Sequence, residues 1–545
     1  MRGVAAELTN AQIADRLALF AALLELADTS PFAVRAYSRA AELVRSLPTP
    51  VADLVREGRI RELRGVGPGI ESKLRELVTT GEIAELRELQ AELPPELVSY
   101  GRLHGVSTKR ISSIARALEI ATVPELEAAV AAGRLRDVPG IGPAAEAQIA
   151  AALAAPPKAQ RGLTVTRSRA LSREIAGALD GHAAGAARRY CELAFELCVV
   201  VASDRPTDAI DAFAALPQIM ALLERAERRA VGLTLDGVPI VLVVATDATL
   251  GTELIRATGS AEYVEALGPL PETAEEAQVF AVLGLPFCPP ELRELPGATP
   301  PEGLVQLTDV RGDLHCHTTW SDGRGSVLEM GAAARDRGYA YLAICDHTPN
   351  VGAVHGLSTD ELRRQGEEIS RANDELAPFR ILRGVECDIR ADGSLDAEDA
   401  VLDELEWVQI SLHAGQRRPR EELTAIVTEA MRHPSVRALS HPKGRILNHR
   451  PENALDLDEV FTVARETGVA VEVNGLPDRL DLSAVHVREA LAAGVDLVLN
   501  SDSHSPAGLA SLELALATAR KGAATRDRIV NTRPLGDVLS GRPSA

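Results

Sequence analysis

At 545 residues and 46% hydrophobic content, the chain predicts several domains with real cores, and its aromatic content of 3% leaves Leu, Val and Ala to fill them. A formal charge of −20 argues against a generic nucleic-acid binder, so any such contact must be local or run through backbone groups and metal ions. No apolar run approaches eighteen residues, the amino terminus shows no charged-then-apolar leader, and six cysteines form no C-x-x-C pair, so a soluble cytoplasmic protein with reduced thiols is expected.

Residues 1 to about 155 are helical in pattern. Asn10 is expected to cap a helix containing Ile13, Leu17, Leu19, Leu23 and Leu24, and Ser30-Pro31-Phe32 starts another through Arg35, Ala36 and Tyr37. Two similar cassettes follow. Leu63-Arg64-Gly65-Val66-Gly67-Pro68-Gly69-Ile70 runs into a helix over 71–79, and Val138-Pro139-Gly140-Ile141-Gly142-Pro143 into one over 144–153. A weaker copy spans Leu103 to Lys109 and has lost its second glycine. Such turns read as helix–hairpin–helix cassettes. Gly65, Gly67, Gly69, Gly140 and Gly142 let the backbone approach a phosphate, and free N–H groups at the helix start bind it without reading bases. An ordinary glycine-rich helix connection is the alternative for either cassette alone.

A linker at Ala155-Pro156-Pro157-Lys158 leads into a second α/β region, with strands over 197–201 and 238–244, helices over 167–179 and 207–215, and Thr258-Gly259-Ser260 after a helical stretch. A Pro-rich junction then precedes Asp313-Leu314-His315-Cys316-His317-Thr318. That stretch follows the apolar-alternating lead Leu304-Val305-Gln306-Leu307 and reads as a strand end, placing His315 and His317 on one face and Cys316 on the other. Downstream, His or acidic residues recur after apolar runs: His347 after 341–345, Glu386 after 379–385, His413 after 408–412, His441 after 436–440, and Asp502 and His504 after 495–501. Helical segments over 327–338, 421–432 and 485–493 lie between, so a parallel sheet or barrel with its functional residues at the strands' carboxyl ends is expected. Ten of the twelve histidines lie after position 313, and a polynuclear metal site is the reading.

The order of these parts resembles the bacterial family X DNA polymerases that carry a C-terminal polymerase-and-histidinol-phosphatase (PHP) domain. Pro31-Phe32 with Arg35-Ala36-Tyr37, and Pro290-Glu291-Leu292-Arg293-Glu294, resemble further signatures of that family. The resemblance implies a multidomain α+β and α/β chain: a helical DNA-binding domain with the first cassette (1–85), a helical fingers-like region with the second (86–155), a nucleotidyltransferase-like α/β palm (156–245), a thumb-like region and linker (246–310), and a distorted (β/α)7 PHP barrel (311–545).

In that family the palm carries Gly-Ser-x-Arg-Arg, then Gly-Asp-x-Asp, and a third Asp, whose carboxylates hold two magnesium ions. Here the corresponding residues read Gly185-Ala186-Ala187-Arg188-Arg189, Phe195-Glu196-Leu197-Cys198 and Val241. Only Glu196 remains, and a thiol and an isopropyl group cannot hold a hard ion. A palm that does not polymerise is expected. The usual His-Asn beyond Thr-Gly-Ser is replaced by Tyr263-Val264.

The PHP set matches position by position: His315, His317, Asp322, His347, Glu386, His413, His441, Asp502 and His504. The resemblance implies three divalent ions, Zn2+ or Mn2+. His315, His317, Glu386 and Asp502 would hold the first, Glu386, His413 and His441 the second, and Asp322, His347 and His504 the third. Such ions draw a nucleophile from water at neutral pH and clamp the oxygens of a phosphoester, with His315, His317, Glu386 and Asp502 at the reaction centre. Arg445 and Arg479 are candidates to neutralise phosphate oxygens, or surface salt bridges; His355 is a candidate phosphate contact or surface residue; Asn474, His433, His449 and His486 are read as structural or solvent-facing. The expected activity is metal-dependent 3′–5′ exonuclease or 3′-end processing on gapped or 3′-ended duplex DNA by a monomer, without membrane association. The alternatives are a small-molecule phosphatase of the histidinol-phosphatase type and a non-catalytic DNA-end scaffold.

Overall fold

The computed structural model describes residues 8, 10–26, 30–47, 50–63, 65–92, 97, 100–101, 104–154, 162–234, 236–352 and 354–540. Arg64, Leu103 and the linker at 155–158 lie outside them. The amino-terminal region is helical. Asn10 is the first residue of helix Asn10–Leu26, and its side-chain amide binds Leu47 O (3.0 Å) and Val51 N (2.7 Å), tying that helix to a later turn. Helix Pro31–Ser46 packs beside it, with Phe20 and Tyr37 edge to face at 4.8 Å. One apolar cluster runs from Ile13 to Leu153, so both cassettes hang on a shared core. In each cassette the apolar residue is buried (Val66, Ile141) and the preceding glycine has positive φ, +100° at Gly65 and +87° at Gly140. That conformation is costly for a side chain bearing Cβ.

The middle region is built on a five-stranded mixed sheet. Its strands are β1 (His182–Ala184), β2 (Leu197–Ala202), β3 (Ile219–Arg225), β4 (Arg229–Thr234) and β5 (Pro239–Ala245), in spatial order β1-β2-β5-β4-β3. β2 and β5 run parallel and both read as continuous apolar runs because both sheet faces are covered. Leu197, Val199 and Val201 meet helices Val165–Ala178 and Pro206–Ala214, whereas Cys198 and Val200 pack toward Leu254. The hairpin β3–β4 escaped the sequence reading because charged residues (Glu224, Arg225, Arg229) interrupt its apolar positions.

Past this sheet, Glu276 sits between two guanidiniums, with Oε2 at 2.6 Å from Arg188 Nη2 and Oε1 ion-paired to the wholly buried Arg293. Burial alone would raise the Glu276 pKa, but the two arginines outweigh it and hold the carboxyl below its usual 4.5. Such a group stabilises the fold above its unfolded pKa, and that contribution disappears as pH falls through its folded value. Glu276→Gln should therefore cost about 3 kcal/mol at neutral pH by leaving Arg293 buried without its counter-charge. In urea denaturation the gap between wild type and variant should shrink below about pH 4.5.

The carboxy-terminal region is a sheet of seven parallel strands in sequence order: β6 (Gly312–Cys316), β7 (Tyr341–Ile344), β8 (Arg380–Asp388), β9 (Trp407–Ser411), β10 (Val436–Leu439), β11 (Ala470–Asn474) and β12 (Leu497–Asn500). The ends nearly close into a barrel: Leu314 N donates to Asn500 Oδ1 (3.1 Å) and His317 N to Ser503 O (2.8 Å). Helices Val327–Asp336, Thr359–Leu376, Arg420–Met431, Leu457–Thr467, Ala484–Ala492 and Leu512–Lys521 alternate with the strands. The observed architecture is thus a helical amino terminus, a mixed α/β middle and a (β/α)7 barrel. The lead at 304–307 is not a strand; Leu304 makes an isolated bridge to Thr525, and the first strand is Gly312–Cys316 itself. Arg520 and Lys521 join Glu291 (3.0 Å) and Glu294 (2.8 Å), fastening the barrel to the segment before it. No helix among the described residues is long and apolar enough to cross a membrane.

Candidate metal centre

At the carboxyl ends of the barrel strands the chain must turn, and six of the histidines stand there or in the loops just beyond. His315 lies inside β6 and Glu386 inside β8, while His317, His347, His413, His441, Asp502 and His504 follow their strands within four residues. Parallel strands bring all these ends to one mouth. Two of the residues, His441 (φ +23°) and Asp502 (φ +52°), occupy the left-handed region, which a side chain bearing Cβ adopts at a cost the surrounding structure must offset.

Glu386 is the hub. Its Oε1 lies 2.8 Å from His441 Nε2 and 3.7 Å from His413 Nε2; its Oε2 lies 3.5 Å from His315 Nε2, 3.7 Å from His317 Nε2 and 3.0 Å from His347 Nδ1. Asp502 Oδ1 is 3.3 Å from His317 Nε2 and 3.8 Å from His315 Nε2. Asp322 reaches His504 Nε2 (3.2 Å) and His347 Nε2 (3.7 Å). Three groups could therefore hold an ion: His315, His317 and Asp502; His347, Glu386 and His413; and His317, Asp322, His347 and His504. All nine side chains singled out in the sequence meet here. The grouping differs from the expected one: His317 and His347 each belong to two groups, Glu386 to one only, and His441 to none, although its Nε2 touches Glu386.

The donor chemistry fits divalent cations. His315 Nε2 and His317 Nε2 are 3.1 Å apart, between two carboxylates and fully buried. Burial, with His347 alongside, lowers the His317 pKa to about 3, so this imidazole is neutral and offers a lone pair. His317 Nδ1 and His441 Nδ1 are buried without a hydrogen-bond partner among the described residues. Burial opposes charge on His347, but Glu386 and Asp322 prevail and raise its pKa to about 10. Glu386 and Asp502, despite the opposing effect of burial, are held well below the usual carboxylate range by the surrounding histidines and, for Asp502, by Arg479 as well.

A layer of polar groups behind these residues escaped the sequence reading. Glu472, fully buried on β11, places Oε1 2.7 Å from His315 Nδ1 and accepts at Oε2 from His441 N (2.8 Å). Gln409 donates to Glu472 Oε1 (2.9 Å) and accepts from the Trp407 indole (3.2 Å). Asp388 Oδ1 sits 3.2 Å from His413 Nδ1. Asn474, read from sequence as structural or solvent-facing, donates to Asp502 Oδ2 (2.9 Å) and Glu472 Oε2 (3.1 Å). A carboxylate behind a ligating imidazole fixes its tautomer and aim. Glu472→Gln should accordingly weaken divalent-ion affinity by roughly 10–100-fold while leaving the fold intact, as read by calorimetric titration of the metal-free protein. The only trace of this in the sequence is an acid inside the run Ala470-Val471-Glu472-Val473-Asn474, which by itself reads equally as solvent-facing.

Of the two candidate phosphate-binding arginines, the structure brings Arg479 and not Arg445 to the ligand acids. Arg479 Nε lies 3.7 Å from Asp502 Oδ2. The Arg445 guanidinium is taken by Glu192 of the middle region (2.5 Å), by Leu480 O and by Arg479 O (3.0 Å). His355 is exposed and paired with Glu361 (3.3 Å), His433 with Asp399 (3.3 Å) and His486 with Glu452 (3.7 Å); His449 is exposed. In the middle sheet Cys198 and Val241 are side-by-side partners of β2 and β5, facing a groove of about 820 Å3 with Glu196 and Arg229 at its wall. Arg188 is committed to Glu276, and Arg189 to Thr258 O (2.5 Å). In the amino-terminal cassettes, a Cβ added at Gly65, Gly67, Gly140 or Gly142 would meet nothing within 4 Å, so these turns are open to an approaching backbone; at Gly69 it would meet Tyr37 Oη at 3.7 Å.

Comparison with known proteins matches both ends of the chain. A helix-hairpin-helix domain model matches residues 8–83 and a PHP domain model residues 313–475. The chain is 30% identical over 556 residues to the DNA polymerase/3'-5' exonuclease PolX of Bacillus subtilis (strain 168), covering 96% of this chain and 97% of that one. Over 235 residues it is also 27% identical to a protein of Thermoanaerobacter sp. (strain X514) and 29% identical to one of Syntrophotalea carbinolica, each named a probable phosphatase; each alignment covers 40% of this chain and 89% and 90% of the respective relative.

Proposed function

Because the chain belongs to the bacterial family X DNA polymerases that carry a C-terminal PHP domain, we propose that it is a metal-dependent 3′–5′ exonuclease or 3′-end-processing phosphodiesterase acting on DNA, with its polymerase activity lost. The observation that carries this reading is the contrast between two centres of one chain. Nine ligand-type side chains, Glu386 among them, converge at one mouth of the barrel, whereas Cys198 and Val241, paired on neighbouring strands, occupy the positions that by the family resemblance would carry carboxylates.

In this reading the nine residues would hold three divalent ions, Zn2+ or Mn2+, in the three groups described above, with His441 joining Glu386 and His413. Bound there, such ions supply Lewis acidity and draw a nucleophile from water at neutral pH. Glu386 Oε1 faces His441 and His413 and its Oε2 faces His315, His317 and His347, so this carboxylate would serve more than one of the ligand groups. Arg479 adds a positive charge beside Asp502, where a phosphate oxygen can be received. The cassettes at Gly65, Gly67, Gly69, Gly140 and Gly142 present backbone N–H groups to DNA phosphates and supply affinity without sequence preference, despite the chain's acidic charge. We place the protein in the cytoplasm, as a monomer on gapped or 3′-ended duplex.

A side-by-side assay on a labelled gapped duplex across Mn2+, Mg2+ and Zn2+ tests this. Shortening of the primer strand without deoxynucleotide incorporation is expected; incorporation that Glu196→Ala abolishes would overturn the view of the palm. A second reading, a small-molecule phosphatase, draws on the probable phosphatases similar over the barrel. It predicts turnover of a soluble phosphomonoester that the full chain performs equally well with Gly65 and Gly140 both changed to Asp.

A further inference from the structure

The parallel strands that gather the nine candidate ligands at their carboxyl ends leave a second mouth at their amino ends. A cavity of about 230 Å3 lies there, walled by Arg437, Arg465, Arg528 and Arg533, with Asp496 and Asp537 as its acids. Trp407, the first residue of β9, and Ala470, the first of β11, mark its position at the strand starts, away from the metal centre. In a chain of formal charge −20, four guanidiniums against two carboxylates is a local reversal of sign.

The pairing inside the cavity is incomplete. Asp496 serves two of the arginines, its Oδ2 lying 2.6 Å from Arg533 Nη2 and its Oδ1 3.3 Å from Arg528 Nη2. Among the described residues Arg437 and Arg465 meet only carbonyl oxygens: Leu539 O at 3.3 Å and Ala493 O at 3.5 Å. Arg437 is half-buried, and burial lowers its pKa with no acid offsetting the loss. A guanidinium taken from water without a counter-charge costs free energy that a charge-assisted, two-pronged contact with an oxyanion recovers. The cavity far exceeds the roughly 10–15 Å3 that one water needs, so a polyatomic anion fits.

We propose that this amino-terminal mouth of the barrel is a binding site for a small phosphate-bearing anion, held by Arg437 and Arg465 and separate from the metal centre. Planar guanidiniums favour tetrahedral oxyanions with paired oxygens over spherical ions, which points to phosphate chemistry, either the free anion or a phosphomonoester.

The test is calorimetric titration of the full metal-loaded chain, at fixed ionic strength, with inorganic phosphate and separately with 2′-deoxyadenosine 5′-monophosphate. Wild type, Arg437→Gln, Arg465→Gln and the exposed control Arg363→Gln are compared, each with and without chelator. The proposal expects binding that persists under chelation, weakens at least ~10-fold in Arg437→Gln and Arg465→Gln (about 1.4 kcal/mol), and is unchanged in Arg363→Gln. Phosphate binding alone identifies the free anion as occupant; tighter binding of the nucleotide identifies the monoester. Should Arg437→Gln misfold, Arg465→Gln carries the test by itself. Absence of binding by both probes, binding that vanishes with chelator, or equal affinity in all four proteins would overturn the proposal.

Discussion

Replacement of His315 by alanine, or of Asp502 by asparagine, is expected to lower the DNA-shortening rate by ~10^3-fold or more, because losing one ion's Lewis acidity forfeits several kcal/mol of transition-state stabilisation. His315 is wholly buried between Glu472 and Glu386, and Asp502 pairs with both His317 and Arg479. Each change therefore removes a donor and frees a neighbouring charge at once. Primer shortening by purified variants, with circular dichroism to confirm folding, measures the effect. Digestion at wild-type rates in both variants would place the chemistry elsewhere. Arg445→Lys provides the contrast: its guanidinium serves Glu192 and two backbone carbonyls, so a loss of stability is expected without a comparable loss of chemistry.

Removing divalent ions is expected to produce the second large effect, on stability. A ligand present at a thousand times its Kd stabilises the native state by about 4 kcal/mol per site, so chelation should lower the thermal midpoint and restored Mn2+ or Zn2+ should return it. Carboxylates around the centre favour the protonated form of two of its imidazoles. Glu386 and Asp322 overcome burial to raise His347 to about 10, and Asp322 and Asp502 raise His504 in the same way. Binding must displace these protons, so apparent affinity should rise with pH, by up to about tenfold per unit for each proton released. Titration in two buffers of different ionisation enthalpy measures the release directly. The sign for folding alone is opposite. A histidine whose pKa is raised on folding stabilises the native state below its unfolded value, near 6.5, and that contribution is lost as pH climbs toward its folded value of about 10. The metal-free protein should thus weaken on the alkaline side while the metal-loaded protein does not.

Eight of the nine ligand-type residues were legible in the sequence because each follows or closes an apolar run short enough to be a strand, and period-2 geometry settles which neighbours share a face; Asp322 stood out only as a carboxylate five residues beyond His317. His315 and His317 point together, and Cys316 packs into the opposite core, as alternation requires. Glu472, Gln409 and Asp388 were not legible as a supporting layer. A polar residue inside a strand reads equally as solvent-facing, and only the nearly closed barrel makes the inward face of β11 a buried wall behind His315. Likewise the β3–β4 hairpin carries too many charges to be separated from loop by periodicity.

The sequence by itself determined the order of helical, mixed and barrel regions, the two glycine-rich turns that open helices, and most of the candidate ligands, since residue type and local spacing suffice for each. The tertiary structure alone decided that Glu386 is shared by five imidazoles, that Arg479 rather than Arg445 faces Asp502, and that four arginines spread between positions 437 and 533 meet at one mouth of the barrel. Those facts depend on distances between residues remote along the chain, and such distances are fixed only when parallel strands close on one another and bury what lies between them.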